Sequence, residues 1–240
     1  MGRIVKSPLL KGCILGYVKI TLYFCTDKQN NNKQSIRIMK RLLIAMIACL
    51  PLMGMAQNTW EMPEADENSK ANPDQKYLVG AVPEENGKVC FSTIIKAPGK
   101  SAQQIFSIVK EELTRMTKEK NQFENSRIAI DAPEKGIVAG SYQEWLVFKS
   151  TALVLDRTRL MYNLIAECKE GELDLKMTRI VYLYDEERNP QTILAEDWIT
   201  DKYGLAKKQT KLSRVSGKFR RKTIDRKDYI FKKLETLLNK

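Results

Sequence analysis

"RTRLMYNLIAECKEGELDLKMTRIVYLY", Arg157 to Tyr184, decides the fold. Two apolar runs rich in β-branched and aromatic residues flank Lys169-Glu170-Gly171. Two such runs joined by a short glycine-containing break form an antiparallel hairpin. The chain on either side must therefore complete a sheet and supply a layer to cover it, since an antiparallel sheet alone leaves an apolar face in water.

The rest of the chain provides both. "GIVAGSYQEWLVF" (136–148) reads as the strand before the hairpin, and "RIAID" (127–131) as a shorter one closed by Pro133 and Gly136. "KVCFSTIIKAP" (88–98) is a β-branched run ended by Pro98-Gly99. Ser101 then caps a helix, with Gln104 three positions on as its capping-box partner. Ile105, Ile108, Val109, Leu113 and Met116 form its apolar stripe. After Asp185 the chain is irregular until "TIDRKDYIFKKLETLLNK" (223–240), where Ile230, Phe231, Leu234, Leu237 and Leu238 make a second stripe. The order strand, helix, antiparallel strands, helix predicts an α+β two-layer sandwich: an antiparallel sheet of about five strands covered by two helices.

"MKRLLIAMIACLPLMGMAQ", Met39 to Gln57, carries a different message. Lys40 and Arg41 precede an uncharged apolar run, and Gly54-Met55-Ala56 ends it with small residues at the positions a signal peptidase inspects. This predicts a signal peptide over 39–56, cleavage after Ala56, and export to the periplasm or cell envelope. Residues 1–38 then read as an upstream over-extension of the frame, and 57–76, polar and rich in Asn and Pro, as a flexible lead-in to a single domain over 77–240. No transmembrane span is expected in the processed chain.

Export changes the charge balance. The whole chain has 41 basic and 29 acidic residues, net +12. The segment 1–56 holds nine of the basic residues and one of the acidic, so the processed chain is net +4. Residues 57–201 are net −7, whereas 202–240 carry fourteen basic and three acidic residues. An acidic body with a basic C-terminal end suits an anionic envelope partner better than nucleic acid. Processing also leaves two of the five cysteines, Cys90 and Cys168. In an oxidising compartment they could form a disulfide, or stand as two buried thiols on separate strands.

The chain has no histidine. Ser-His-Asp and Cys-His catalysis and every His-ligated metal site are thereby excluded. "PGKS" (98–101) follows a strand and opens a helix as a phosphate loop does, but Ile94 stands where the first glycine belongs. Ser107-x-x-Lys110 lacks its partner motifs. The acidic residues Asp185, Glu186, Glu187, Glu196, Asp197 and Asp201 follow no calcium-loop spacing. No cofactor or metal is expected. Two features remain as candidate ligand-binding sites. "KFRRK", Lys218, Phe219, Arg220, Arg221 and Lys222, is the densest basic cluster and interleaves an aromatic ring. In the strand 136–148, Tyr142, Glu144, Leu146 and Phe148 share one face, and Gln143, Trp145 and Val147 the other. One set belongs to the core, and the other could present Trp145 to a ligand.

These stretches also resemble a known family. The exported start, "GKVCFSTIIKAPGKSAQQIFSIV", "EWLVFKSTALVLDRTRLMYNLIAEC", "MTRIVYLYDEE", "AEDWITDKYGL" and "SGKFRRKTIDRKDYIF" are similar to an uncharacterised bacterial family of exported proteins. That family is described as having a TATA-binding-protein-like (TBP-like) fold. The resemblance covers roughly Tyr77 to Leu238. It implies a curved antiparallel sheet backed by helices and brings no catalytic residues with it. It does not imply DNA binding, because function lives in sites rather than folds. The expected function is a non-enzymatic extracytoplasmic binding module. It would recognise an envelope protein, glycan or anionic lipid through an uncovered sheet face or the basic C-terminal segment. The alternative is a hydrolase of an envelope polymer working through carboxylates such as Glu144 or Asp185.

Overall fold

The computed structural model of the chain describes Asn58, Trp60, Asn72 and residues 74–151 and 153–240. The signal-peptide and over-extension readings lie outside the described residues. So does most of the expected lead-in.

Among the described residues, seven strands form one antiparallel sheet: β1 (Glu84–Glu85), β2 (Lys88–Lys96), β3 (Arg127–Ala132), β4 (Ile137–Ser150), β5 (Leu155–Lys169), β6 (Glu172–Tyr184) and β7 (Gln191–Leu194). The order across the sheet is β1-β2-β6-β5-β4-β3, with β7 extending the edge of β6 beyond the end of β2. The helices are α1 (Ala102–Met116), the short α2 (Asp201–Gly204) and α3 (Gly217–Leu238). The two strands beyond the expected number are β1 and β7, of two and four residues, too short to show a period of their own.

The central hairpin is β5–β6, pairing Lys169 with Glu172 across the turn at Glu170-Gly171. Gly171 takes φ +71, which a residue with a Cβ adopts only at a cost. Strand alternation then sets the layers. Along β4, β5 and β6, Val138, Tyr142, Leu146, Leu160, Tyr162, Leu164, Leu173, Leu175, Met177 and Tyr182 are all buried. Ile105, Val109 and Leu113 of α1 and Phe219, Ile224, Ile230 and Leu234 of α3 are buried with them in one cluster. Both long helices thus cover the same face, as a sheet with one apolar face requires.

Local chemistry fixes the details. The Ser101 hydroxyl accepts from the Gln104 amide (3.2 Å) and the Gln104 side chain accepts from the Ser101 amide (2.8 Å), a complete capping box at the start of α1. Gly140 makes room for a neighbour: a Cβ there would lie 2.5 Å from the Tyr142 ring. The vacated space lets Tyr142 lie back and donate to the Leu113 carbonyl of α1 (2.9 Å). α3 starts six residues before the stretch whose apolar stripe marked it, so Lys218–Lys222 form its first turns rather than the end of an irregular stretch. The cause is Phe219, which must enter the core from a helix to meet Phe148, Tyr182, Tyr184 and Trp198.

Past the end of β3, the outer edge of β4 would expose unpaired amides and carbonyls. Trp145 donates its amide to Asn121 O (3.0 Å), and Gln143 O accepts from the Phe123 amide (2.8 Å). The Asn58 side chain pairs with both backbone groups of Val147, at 3.0 and 2.9 Å. Edge strands left bare invite pairing with other chains, and these contacts prevent it. Asn58 and Trp60 fall within the expected lead-in, yet both are buried against the domain.

Candidate functional site

The basic cluster at the start of α3 comes apart residue by residue. Phe219 is in the core. Arg220 is wholly buried and donates to Tyr77 O, Leu78 O and Ile199 O, and to Asp201. Lys218 donates to Asp156 Oδ2 (2.6 Å) among the rings of Phe148, Tyr184 and Phe219. Arg221 is paired with Asp74. Lys222 is partly exposed and also engaged. Phe219 and Arg220 therefore serve the fold, a correction to their reading as ligand contacts. The reason is geometric: on a helix they point inward, where a charge persists only with partners.

Of the two alternatives for the cysteines, the structure has the pair of buried thiols on separate strands. Cys90 and Cys168 are free, buried thiols. Cys90 lies opposite Thr178 and Cys168 opposite Leu173, which is in the core, so the two side chains leave opposite faces of the sheet. Burial pushes the Cys168 thiol up to about 11 from an ordinary 9.0. Burial, then the Asp225 carboxylate to which it donates, pushes the Tyr77 hydroxyl up to about 12. With both values raised, the folded chain keeps protons that the unfolded chain releases first. The stability these groups contribute is complete below their ordinary values and is lost as pH rises through 11 and 12. The urea midpoint is accordingly expected to fall steadily from about pH 9 upward, less so in Cys168→Val. A flat profile in the native chain would refute this.

The two carboxylates considered for hydrolysis lie apart in the fold. Glu144 is 1% exposed in the core, accepting from Arg226 Nε (2.8 Å) and the Tyr162 hydroxyl (2.7 Å). Burial first, and then the Glu144 charge, raise the Tyr162 hydroxyl well above its ordinary value. Asp185 sits at the end of β6 and pairs with Arg188 (3.0 Å). Among the described residues, no group of three or more His, Cys, Asp or Glu gathers to hold a metal. No described helix is long and apolar enough to cross a membrane.

Trp145 has a different setting. It lies on the sheet face opposite the helices, with Gln143 and Val147, while Tyr142, Glu144, Leu146 and Phe148 face the helices. Cross-strand registry carries that opposite face over the sheet through Arg157, Arg159, Met161, Asn163 and Ile165 of β5 and Lys176, Val181 and Leu183 of β6. No described element packs over it, and at its rims Ile94 and Ile130 are 59% and 49% exposed. At one end stands an aromatic–arginine stack. Phe123, in the loop that caps the β4 edge, packs on Trp145 at 4.9 Å between centroids. The Arg157 Cζ lies 3.7 Å from the Trp145 ring centre, and the Arg159 Cζ 3.9 Å from that of Phe123. Arg159 Nη1 reaches Gln143 Oε1 at 3.4 Å. A guanidinium set against a ring keeps its N–H donors available for carboxylate or phosphate, and here Glu187 accepts from Arg157 (3.0 Å) and Glu186 from Arg159 (3.2 Å).

Of the residues selected from sequence, the structure brings Trp145 into this group and leaves Lys218–Lys222 outside it. Phe123, Arg157 and Arg159 were missed. Their signal was the alternation in "RTRLMYN", which places both arginines on one face of β5.

Comparison with known proteins agrees with the architecture. Residues 91–183 match the family described as "Domain of unknown function (DUF4468) with TBP-like fold". The crystal structure of a DUF4468 family protein from Bacteroides ovatus is 41% identical, with a TM-score of 0.65 over 70% of this chain and 95% of that one. A TBP-like protein from Parabacteroides distasonis, 20% identical, shares the fold with a TM-score of 0.52 over 65% of this chain and 96% of that one. Curated proteins give no match. A sheet built around the β5–β6 hairpin, helices on one face and 41% identity over nearly the whole of a solved member carry one conclusion: this chain belongs to the DUF4468 family of TBP-like domains.

Proposed function

We propose that the chain is an exported, non-enzymatic binding module of the cell envelope whose uncovered sheet face takes an anionic partner. The observation that carries this reading is the pair of guanidinium groups, Arg157 and Arg159, set 3.7 and 3.9 Å from the ring centres of Trp145 and Phe123 on that face. Two cations fixed in this way have lost side-chain freedom before any ligand arrives, so less entropy is lost on binding. Phe219 lies in the core and Arg220 is wholly buried on backbone carbonyls and Asp201, so the C-terminal basic segment presents less of its cluster to a ligand than the sheet face does. The start of the chain supports export, with Gln57 as the first residue of the processed form.

The test is direct binding by calorimetry at low salt. The probes are a glutamate-rich peptide, polygalacturonate and phosphatidylglycerol vesicles. At least one anionic probe should bind and lose about tenfold or more in affinity when Arg157 and Arg159 are both changed to Gln. Raising the salt should weaken binding further. Equal binding by native and variant protein to every probe would remove the site from this face. Fractionation of the producing cells, with N-terminal sequencing of the product, tests export separately.

A further inference from the structure

The arginines on the uncovered face are already occupied by carboxylates of the chain itself. After β6 the chain turns sharply. Asp185 takes φ +51, its carbonyl accepts from the Arg188 and Asn189 amides (3.1 and 3.0 Å), and its carboxylate holds Arg188. This self-tied turn aims two consecutive glutamates at the face. Glu186 grips Arg159 in a two-pronged pair, through Nε (3.2 Å) and through Nη2. Glu187 meets Arg157 Nη2 at 3.0 Å. Both contacts are charge-assisted, and the Glu186–Arg159 pair is fork-shaped, the geometry in which arginine recognises carboxylate. They are also displaceable. Glu187 is 79% exposed, and Glu186 and Arg159 keep about a quarter and a fifth of their side-chain surface in solvent. The Arg157–Glu187 pair, open to water on the glutamate side, contributes little net stability.

We infer that Glu186 and Glu187 act as a built-in competitor, holding the arginines in the place of an acidic peptide segment of a partner protein. The inference rests on the sheet-face reading above and adds its ligand class and its regulation. Three observations select a peptide. The groups seated on the arginines are themselves peptide carboxylates. Arg157 and Arg159 stand one residue apart on the same face of β5, about 7 Å, the spacing of alternate side chains on an extended peptide. Apolar surface from Val181, Leu183 and Trp145 lies beside them for the residues between.

The experiment measures fluorescence anisotropy of a labelled peptide alternating Glu and Ser, beside the same peptide with Gln for Glu, on the full processed chain. Glu186→Gln with Glu187→Gln should tighten the acidic peptide by about tenfold, and the Gln peptide should not respond. Glu167→Gln with Asp174→Asn removes equal charge from the far end of the same face and should change affinity much less. Arg157→Gln with Arg159→Gln should abolish binding, and adding the glutamate changes to it should restore nothing. Circular dichroism and a thermal melt check each variant for folding. If the arginine variant weakens the peptide but the glutamate variant does not tighten it, the competitor is refuted and the sheet-face site stands. If neither pair of changes alters binding of the peptide, polygalacturonate or anionic vesicles, both fall. If polygalacturonate or the vesicles respond to both pairs and the peptide to neither, the peptide assignment is overturned.

Discussion

Arg226→Ala is expected to lower the unfolding free energy by about 3–5 kcal/mol, because it leaves a buried carboxylate without its cation. Arg226 is 0% exposed, midway along α3. Its Nε donates to Glu144 on β4 (2.8 Å) and its Nη2 to Glu119 just after α1 (2.9 Å). The rings of Trp60 and Tyr229 flank it, 5.5 and 5.6 Å from Cζ. Burial opposes the charge, but the fields of Glu144 and Glu119 outweigh it and hold the guanidinium's protonation above its ordinary range. One residue therefore joins both long helices, the sheet and the N-terminal segment. Truncation leaves Glu144 buried with only the Tyr162 hydroxyl.

The companion double change, Arg226→Met with Glu144→Leu, should recover most of the loss, since an apolar pair of similar volume needs no compensation. Urea denaturation of the two single variants and the double variant forms the cycle. A near-zero loss for Arg226→Ala would mean that the pair carries no structural role. A double variant as unstable as the single would show that the polar network, not charge burial, governs the site.

Arg220→Ala is expected to cost a similar amount, about 3–5 kcal/mol, for a different reason. Arg220 spends its donors on backbone: Tyr77 O at 2.6 Å, Leu78 O at 2.6 Å and Ile199 O at 2.7 Å, with Asp201 Oδ1 at 2.7 Å. It thereby clamps the turn before β1 and the segment leading into α2 onto α3. Leu78 O keeps the Ala81 amide (3.1 Å), but removing the guanidinium takes the side-chain donor from Tyr77 O and Ile199 O. Lysine should rescue less than half of the loss, because three donors on one nitrogen cannot span three separated carbonyls as a planar fork does. By contrast, Lys218→Gln, on a half-exposed pair, should cost no more than about 1 kcal/mol. Chemical denaturation ranks the three. Equal losses for Arg220 and Lys218 would argue against the clamp.

These arginines also mark where sequence reading reached its limit. Arg220 and Arg226 belong to the stretch that reads as a basic C-terminal end, fourteen basic residues against three acidic over 202–240. Only their helical phase sends them inward, and their partners lie far along the chain: Glu144 is 82 positions from Arg226, and Tyr77 is 143 from Arg220. Sequence spacing cannot pair groups across such distances. The start of α3 was misplaced for a related reason. Phe219 is its only apolar contact in the first turns, and one residue shows no period.

What the sequence by itself determined is local. The β5–β6 hairpin, the capping box at Ser101, the turns at Pro98-Gly99 and Pro133–Gly136, and the division of β4 into two faces follow from backbone stereochemistry and short-range spacing. So does the fold class, since an amphipathic sheet and two amphipathic helices have few ways to bury their apolar surfaces together. The tertiary structure alone decided which face of β4 the helices cover, and hence that Trp145 lies outside the core beside Arg157 and Arg159. It alone sent Cys90 and Cys168 to opposite faces and brought Glu186 and Glu187 onto the arginines. The physical reason is common to all of these. Alternation fixes the two faces of a strand relative to each other, but which face is buried depends on what packs there, and that partner comes from a distant part of the chain.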